Sequence, residues 1–162
     1  MKNCLFLDRD GTINKNYGYI GNFKKFVWLK YSKKAIRYAY KKGLLIVVIS
    51  NQSGVSRGYF SEEDCLNINK KINSELKKIK CKIHDFYYSF YHPKFKNLNY
   101  DSIDRKPNIG MIIKAKKKWN IDLKKSYMIG DEKKDQKIAK KLGIRFKLKR
   151  KNLFYEVKSL IG

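Results

Sequence analysis

Cysteine, proline, acidic residues and long apolar runs are all scarce in this sequence. The 162 residues include three cysteines and two prolines. The cysteines, Cys4, Cys65 and Cys81, lie far apart and form no Cys-x-x-Cys pair, which favours neither a disulfide framework nor a thiolate metal site. No apolar run approaches the roughly 20 residues of a membrane-spanning helix. Because the apolar stretch 4–7 is too short for a signal peptide, we expect a cytoplasmic protein without a membrane partner.

The shortage of acidic residues leaves a formal net charge of +25, from 39 Lys and Arg against 14 Asp and Glu. Such an excess is one signature of a nucleic-acid-binding protein. The lysines are spread over nearly every predicted helix instead of forming one stripe, which is typical of a solvated surface. In either case the positive field favours polyanionic substrates such as phosphate esters. We predict a monomer with a phosphorylated small-molecule substrate, and nucleic acid is the weaker alternative.

The residues that are present suit an ordered core, because 43% are hydrophobic and 14% aromatic. We expect a single domain over 1–162. Short apolar runs predict strands over 4–8, 44–50, 84–91, 126–130 and 144–148. Amphipathic segments between them predict helices from Ser32 to Gly43, from Ser61 onward, from Pro107 to about Trp119, over 133–142 and over 152–161. The alternation predicts an α/β fold, a Rossmann-like three-layer sandwich with a mostly parallel sheet of five or more strands.

The first predicted strand ends in an unusual pair of acids. Residues 8–12 read Asp-Arg-Asp-Gly-Thr. In a parallel sheet, ligands bind beyond the carboxyl ends of the strands. Two carboxylates this close repel each other unless a cation lies between them. Taken alone, the segment also fits an ordinary Asp-Gly turn with Asp8 as a cap.

Three further segments place polar groups at strand ends or helix starts. Residues 50–54 read Ser-Asn-Gln-Ser-Gly and follow the second strand with a cluster of small hydrogen-bond donors. Residues 105–107 read Arg-Lys-Pro and open a predicted helix, where a cation and a helix dipole favour phosphate. Gly130 and Asp131 end the fourth strand, with Asp135 shortly after. Singly, each segment also fits a polar loop or a solvated helix start.

Together and in this order, the four segments resemble the motifs of the haloacid dehalogenase-like phosphatase superfamily, over essentially the whole chain. Within it, the chain is most similar to the D-glycero-D-manno-heptose 1,7-bisphosphate 7-phosphatases. That likeness rests on residues 6–14, 50–58, 105–107 and 127–131. The histidinol-phosphate phosphatases are a rival group. Because no large insertion follows the first or the third motif, the resemblance implies no separate cap domain.

The resemblance also implies an Mg²⁺-dependent reaction through an aspartyl-phosphate. Asp8 would be the nucleophile and Asp10 the general acid and base. Ser50 and Lys106 would bind the phosphoryl oxygens. Asp8, the Asp10 backbone carbonyl and Asp131 would hold Mg²⁺.

Other residues are assigned supporting and substrate-binding roles by the same resemblance. Asp135 would orient Lys106 or a metal-bound water. Arg57 would bind a second phosphate. The predicted substrate-binding residues are Asn16, Tyr17, Gly18, Tyr19, Asn51, Gln52, Ser53, Arg57 and Arg105.

One departure concerns a zinc-binding loop that this group carries before its Arg-Lys-Pro motif. The four ligand positions here hold Ser89, Tyr91, Ser102 and Asp104. His92 alone cannot supply the four ligands of a structural zinc, so we predict that zinc is absent. Without zinc, two alternatives are open: the loop is mobile, or aromatic packing orders it, through Tyr88, Tyr91, Phe95 and Tyr100.

The resemblance therefore implies removal of the 7-phosphate from D-glycero-D-manno-heptose 1,7-bisphosphate. A histidinol-phosphate phosphatase and a DNA 3′-phosphatase are alternatives with the same chemistry. A non-catalytic nucleic-acid-binding protein on the same scaffold is the alternative from another class.

Overall fold

The short apolar runs of the sequence form the sheet. In the computed structural model, which describes residues 1–95 and 99–162, these runs are parallel strands. They are β1 (Cys4–Leu7), β2 (Leu45–Asn51), β3 (Asp85–Ser89), β4 (Tyr127–Gly130) and β5 (Arg145–Leu148). Their order in the sheet is β3-β2-β1-β4-β5. The prediction of an α/β fold with a parallel five-stranded sheet is confirmed.

In the part of the chain that the structure describes, five α-helices and three short 3₁₀ helices connect and cover the strands. The α-helices are α1 (Ser32–Lys41), α2 (Glu62–Lys77), α3 (Gly110–Trp119), α4 (Lys133–Leu142) and α5 (Leu153–Ile161). The 3₁₀ helices span Phe23–Lys25, Ser102–Asp104 and Leu123–Lys125.

Each face of the sheet carries its own core, because successive residues of a strand point to opposite faces. Leu5 and Leu7 pack in the cluster that α1, α2 and α5 cover. Cys4 and Phe6 pack in the cluster that α3 and α4 cover. The molecule is therefore a three-layer sandwich, as the sequence predicted.

The helix ends agree with the sequence at some positions and differ at others, since α1 ends at Lys41 and not at Gly43. Ser61 caps α2 through a capping box with Asp64, and α4 ends at Gly143, which adopts a left-handed φ of 67°. The prediction that Pro107 lies in the first turn of a helix is wrong, because α3 begins at Gly110. Residues 105–109 form a turn instead, in which the Asn108 N–H donates to the Arg105 carbonyl at 2.8 Å.

The carboxyl ends of β1, β2 and β4 meet at one edge of the sheet, since the three strands are parallel neighbours. Asp8 is fixed at this edge, because its N–H donates to the Ile129 carbonyl of β4 at 3.1 Å. The polar residues that follow these strands are thereby brought together. In the part of the chain that the structure describes, no helix is long and apolar enough to cross a membrane.

Candidate active site

A buried ammonium group joins two carboxylates at this edge. Lys106 Nζ lies 2.7 Å from Asp8 Oδ1 and 2.7 Å from Asp135 Oδ1, and it donates to the Ile49 carbonyl at 3.3 Å. Asp8, Lys106 and Asp135 are all buried. These three contacts use all three ammonium hydrogens. The structure therefore shows Lys106 holding Asp8, the predicted nucleophile, in a fixed position.

The surroundings of Asp8 shift its ionisation. Burial raises the pKa of Asp8 to about 8, and the nearby Asp135 and Asp131 carboxylates add to this rise against the opposing effect of Lys106. Burial alone would lower the pKa of Lys106, but Asp8 and Asp135 raise it overall. One ammonium thus faces three carboxylates, which leaves an excess of negative charge for a cation to offset.

The donor set at this edge fits a hard divalent cation. Ligand oxygens of Asp8, Asp131 and Asp135 all lie within 4.8 Å of one another. Asp135 is engaged through both oxygens, by Lys106 at 2.7 Å and by the Glu132 N–H at 3.2 Å. Asp131 Oδ1 is buried, and in residues 1–95 and 99–162 it has no hydrogen-bond partner. Asp8 and Asp131 are therefore the carboxylates with capacity for Mg²⁺, which takes one or two such ligands and several waters.

Gly11 makes room for Asp131. A Cβ atom at position 11 would lie 2.1 Å from Asp131 Oδ2, and the residue adopts a φ of 88°. A side chain at this position would meet both a steric clash and backbone strain. The absence of a side chain at Gly11 thus allows Asp131, which follows β4, to lie close to Asp8, which follows β1.

Asp10 stands in a different environment from Asp8, with donors on both oxygens. Oδ1 accepts from Arg9 Nε at 3.0 Å and from Asn14 Nδ2 at 2.9 Å. Oδ2 accepts from Arg9 Nη2 at 3.2 Å and from Gln52 Nε2 at 2.8 Å. The Gln52 amide also donates to Ser50 Oγ at 2.8 Å, which leaves the Ser50 hydrogen available to a ligand.

Residues from these motifs line one cavity of about 280 Å³. This volume is near the lower end of the range for small-molecule sites. Most predicted site residues line it together. These are Asp8, Asp10, Asn16, Gly18, Tyr19, Ser50, Asn51, Gln52, Ser53, Arg105 and Lys106. The lining does not include four predicted site residues, Tyr17, Arg57, Asp131 and Asp135. It does include Glu132 and Lys134, for which the sequence predicted no role.

Arg57 does not line the cavity, but it packs against Tyr19, which does. Its guanidinium carbon lies 5.2 Å from the ring centre of Tyr19 and 4.8 Å from that of Phe95. One Arg57 nitrogen lies 3.1 Å from His92 Nε2. Burial lowers the pKa of Arg105, and the positive charge of Arg57 lowers it further. This corner of the site therefore concentrates positive charge.

The positions that correspond to the zinc ligands have other partners. Ser89 is buried at the end of β3, and Asp104 pairs with Lys114 at 2.5 Å. The Tyr91 carbonyl accepts from Arg105 Nη1 at 3.0 Å. The absence of zinc stays a prediction.

Aromatic packing in this loop follows the predicted set in part. Tyr88 and Tyr100 contact Phe90, with ring centres 6.3 and 5.4 Å away. Phe95 contacts His92 at 5.4 Å. The segment 96–98 of the predicted loop lies outside the described residues.

Two residues around Asp10 escaped the sequence analysis. Arg9 is fully buried, although arginine in a motif is usually taken as a surface residue or a substrate ligand. Asn14 is also fully buried and reaches back to Asp10. The one available signal was their position beside Asp10 in the first motif.

Comparisons with known proteins identify the family to which this chain belongs. The sequence profile of the family described as polynucleotide kinase 3 phosphatase matches residues 3–152. The D-glycero-beta-D-manno-heptose-1,7-bisphosphate 7-phosphatase of Pasteurella multocida is 36% identical over 141 residues, which cover 86% of this chain and 77% of that protein. The D-glycero-alpha-D-manno-heptose-1,7-bisphosphate 7-phosphatase of Burkholderia mallei is 35% identical over 147 residues, with coverages of 89% and 78%.

Solved structures share the architecture. A protein from Mesorhizobium loti described as a HAD-like phosphatase superposes with a TM-score of 0.81 at 32% identity, covering 88% of this chain and 69% of that chain. The D,D-heptose 1,7-bisphosphate phosphatase of B. bronchiseptica, in complex with magnesium and phosphate, superposes with a TM-score of 0.82. It is 23% identical, covers 100% of this chain and 88% of that chain, and shows the shared fold. This chain is therefore a phosphatase, and it belongs to the haloacid dehalogenase-like family that contains the heptose-1,7-bisphosphate 7-phosphatases.

Proposed function

We propose that this phosphatase uses Mg²⁺ and an aspartyl-phosphate on Asp8 to remove the 7-phosphate of D-glycero-D-manno-heptose 1,7-bisphosphate. The observation that carries the proposal is the layout of the cavity. Asp8 and Lys106 are buried residues of its lining, and Arg105 lines it beside the Arg57 guanidinium. A cavity that is lined by a nucleophile and by a guanidinium group with a second one beside it suits a substrate with two phosphates. We expect the enzyme to act as a cytoplasmic monomer.

In the first half-reaction, an Asp8 oxygen forms a bond to phosphorus while the ester P–O bond breaks. Asp10 gives its proton to the leaving oxygen. In the second half-reaction, water attacks the phosphorus of the aspartyl-phosphate, Asp10 takes a proton from this water, and Asp8 is released with inorganic phosphate. Lys106 keeps Asp8 in place throughout, and the Ser50 hydroxyl donates to a phosphoryl oxygen.

For Asp10 to carry a proton, one of its four donors has to give way. Arg9 and Asn14 are fully buried, whereas Gln52 lines the cavity and already shares its amide with Ser50. We therefore expect Gln52 to be the donor that moves when a phosphate enters and engages Ser50.

Asp8 and Asp131 would hold Mg²⁺, together with the Asp10 carbonyl. What bound Mg²⁺ supplies is positive charge that lets an anionic carboxylate meet an anionic phosphate. The free capacity of Asp131 Oδ1 supports this assignment.

The second phosphate would lie near Arg105 and Arg57. In the ranges 1–95 and 99–162, neither guanidinium forms an ion pair with a carboxylate. Arg57 Nε is buried without a hydrogen-bond partner among these residues. Because an unsatisfied buried donor costs about 1–3 kcal/mol, a phosphate at this corner would be stabilised.

The experiment compares phosphate release from heptose 1,7-bisphosphate and heptose 7-phosphate, with Mg²⁺ and with EDTA. We expect turnover of the bisphosphate with Mg²⁺ and none with EDTA. Arg57→Met should lower kcat/KM for the bisphosphate about 10-fold more than for the monophosphate, on the scale of one lost charge-assisted hydrogen bond. The matched control is Arg145→Met, since Arg145 also stacks on a tyrosine, 4.8 Å from the Tyr127 ring, but on β5. An equal effect of Arg57→Met on both substrates would reject the second-phosphate site.

A DNA 3′-phosphatase is the second candidate, favoured by the net charge of +25 and by the description of the matching family profile. The same assay therefore includes a 3′-phosphorylated oligonucleotide and histidinol phosphate. Preferential oligonucleotide turnover that falls steeply with salt would select the DNA substrate over the sugar.

A further inference from the structure

Arg9 is a buried cation in contact with Asp10, and none of the assigned catalytic roles includes it. Its side chain is 0% exposed and is among the largest fully buried side chains in the described residues. A buried guanidinium costs several kcal/mol unless its geometry with a partner is good. Its partner is Asp10, which it meets with two nitrogens at 3.0 and 3.2 Å.

A second layer holds Arg9 from behind. Its Nη1 lies 3.5 Å from the hydroxyl oxygen of Tyr88 on β3, and its guanidinium carbon lies 5.4 Å from the centre of that ring. The Tyr88 hydroxyl in turn donates to Asn69 Oδ1 on α2. A chain of contacts thus runs from α2 through β3 to the carboxylate of Asp10.

A purely structural ion pair would not require this geometry. Replacing a buried ion pair by apolar side chains is often neutral for stability, so stability alone is a weak reason for the pair. A bidentate pair, by contrast, fixes the positions of both carboxylate oxygens. Asn14 and Gln52 approach the same oxygens from other directions. The Asp10 carboxylate is therefore held on all sides while it still lines the cavity.

We propose that Arg9 is a positioning residue for the general acid and base, an inference that rests on the proposed function. Its guanidinium, backed by Tyr88 and Asn69, keeps the Asp10 carboxylate turned towards the cavity, where the ester oxygen of the leaving group lies. Placement errors of about 1 Å in such a group cost about 100-fold in rate, which is why a rigid support has value.

The test uses two phosphate monoesters that differ in how much they need a proton donor. The leaving group of an alkyl phosphate is an alkoxide, which requires a proton. The leaving group of 4-nitrophenyl phosphate is a stable phenolate, which does not. The parameter kcat/KM reports the steps up to release of the leaving group. Arg9→Met should lower kcat/KM for the alkyl ester about 100-fold and for the aryl ester less than about 5-fold. Arg9→Lys, which keeps a cation but not the fork, should fall between Arg9→Met and the wild type for the alkyl ester.

Two further variants keep the test decisive. Asn73→Ala is the matched control, because Asn73 lies on the same helix as Asn69 and loses two hydrogen bonds to Ile83 without touching the site. Its kinetics should match the wild type. If Arg9→Met does not fold, Tyr88→Phe removes the hydroxyl behind Arg9 and should show the same alkyl-selective loss, about 3- to 10-fold.

Equal losses for both esters, or no loss for either, would overturn the positioning role. The wild type distinguishes this failure from a failure of the proposed function. A wild type that hydrolyses neither these esters nor heptose 1,7-bisphosphate with Mg²⁺ overturns both proposals, whereas an active wild type with unselective Arg9 variants overturns only this one.

Discussion

Two carboxylates at the end of one strand, Asp8 and Asp10, occupy opposite environments. On the β4 side, Asp8 faces Lys106, Asp131 and Asp135 and has a pKa raised to about 8, mainly by burial. On the β3 side, Asp10 receives four donated hydrogen bonds and no carboxylate neighbour contacts it within hydrogen-bond distance among the described residues. Two identical side chains are thus suited to distinct roles because their surroundings differ. Asp8, which lies among other carboxylates, is suited to bind a cation and to attack phosphorus. Asp10, which lies among hydrogen-bond donors, is suited to keep a fixed orientation.

The largest effect should come from removing the nucleophile. Asp8→Asn keeps the shape of the side chain but gives an amide, which does not attack phosphorus. We expect kcat to fall by about 10⁵-fold or more, as when other nucleophiles are removed. The measurement is phosphate release by wild type and variant at matched concentration, with circular dichroism to verify folding. A folded Asp8→Asn variant that retains a tenth of the activity would contradict the role of Asp8.

The next largest effect should come from Asp10→Asn, which leaves an amide that cannot transfer the proton. We expect a fall in kcat/KM of about 10²- to 10⁴-fold for alkyl phosphates and a much smaller fall for 4-nitrophenyl phosphate. The ratio of the two esters is the measured quantity. A loss as large as that of Asp8→Asn for both esters would remove the distinction between the two carboxylates.

Removal of one metal ligand should have a graded effect. Asp131→Asn should raise the Mg²⁺ concentration for half-maximal activity by about 100-fold, while EDTA abolishes wild-type turnover. Asp122→Asn is the control, because an amide oxygen can still accept from the Lys124 and Lys125 N–H groups that Asp122 caps. An unchanged Mg²⁺ dependence in Asp131→Asn would reject this residue as a ligand.

The smallest effect on catalysis should come from a buried acid remote from both carboxylates, Glu156 on α5. Burial alone would raise its pKa, but the Lys151 and Arg150 N–H groups and Lys147 lower it overall. Glu156→Ala should therefore lower the free energy of unfolding by about 1–3 kcal/mol at neutral pH and leave kcat/KM unchanged.

The pH dependence of that loss follows from the sign of the shift. The pKa of Glu156 is lower in the folded state than its value of about 4.3 in the unfolded chain. Its carboxylate therefore stabilises the fold at pH values above about 4.3, and this stabilisation is lost as the pH falls through the folded pKa. The difference between wild type and Glu156→Ala in denaturant titrations should shrink below about pH 4. The exposed Glu63→Ala should cost less than 1 kcal/mol, about the scale of surface changes. A pH-independent difference would show that the Glu156 charge is not the cause.

The sequence predicted the Asp8 side of the comparison far better than the Asp10 side. Asp8, Ser50 and Asp131 could be assigned because each follows an apolar run, and parallel strands end at one edge. Lys106 required the resemblance, since no local pattern predicts that it reaches from a loop to Asp8. Its placement at a helix start was wrong, because the preference of proline for first turns was outweighed by the turn at 105–109.

Arg9 and Asn14 could not be found from local patterns. Burial of a charged side chain depends on partners from distant segments, here Tyr88 and Asn69, and no periodicity records them. Arg57 was assigned to the substrate site, and no local pattern predicts that its guanidinium packs against Tyr19 and Phe95. Both outcomes depend on tertiary contacts and not on propensity.

The most direct test of Asp8 as the nucleophile is chemical trapping of the aspartyl-phosphate intermediate. Wild-type protein is mixed with substrate and Mg²⁺ and treated with borohydride, which reduces an acyl phosphate to the alcohol of homoserine, and the peptides are analysed by mass spectrometry. We predict homoserine at position 8, dependent on substrate and Mg²⁺, with Asp10 unchanged. Homoserine at position 10, or none at position 8 in an enzyme that turns over, would contradict it.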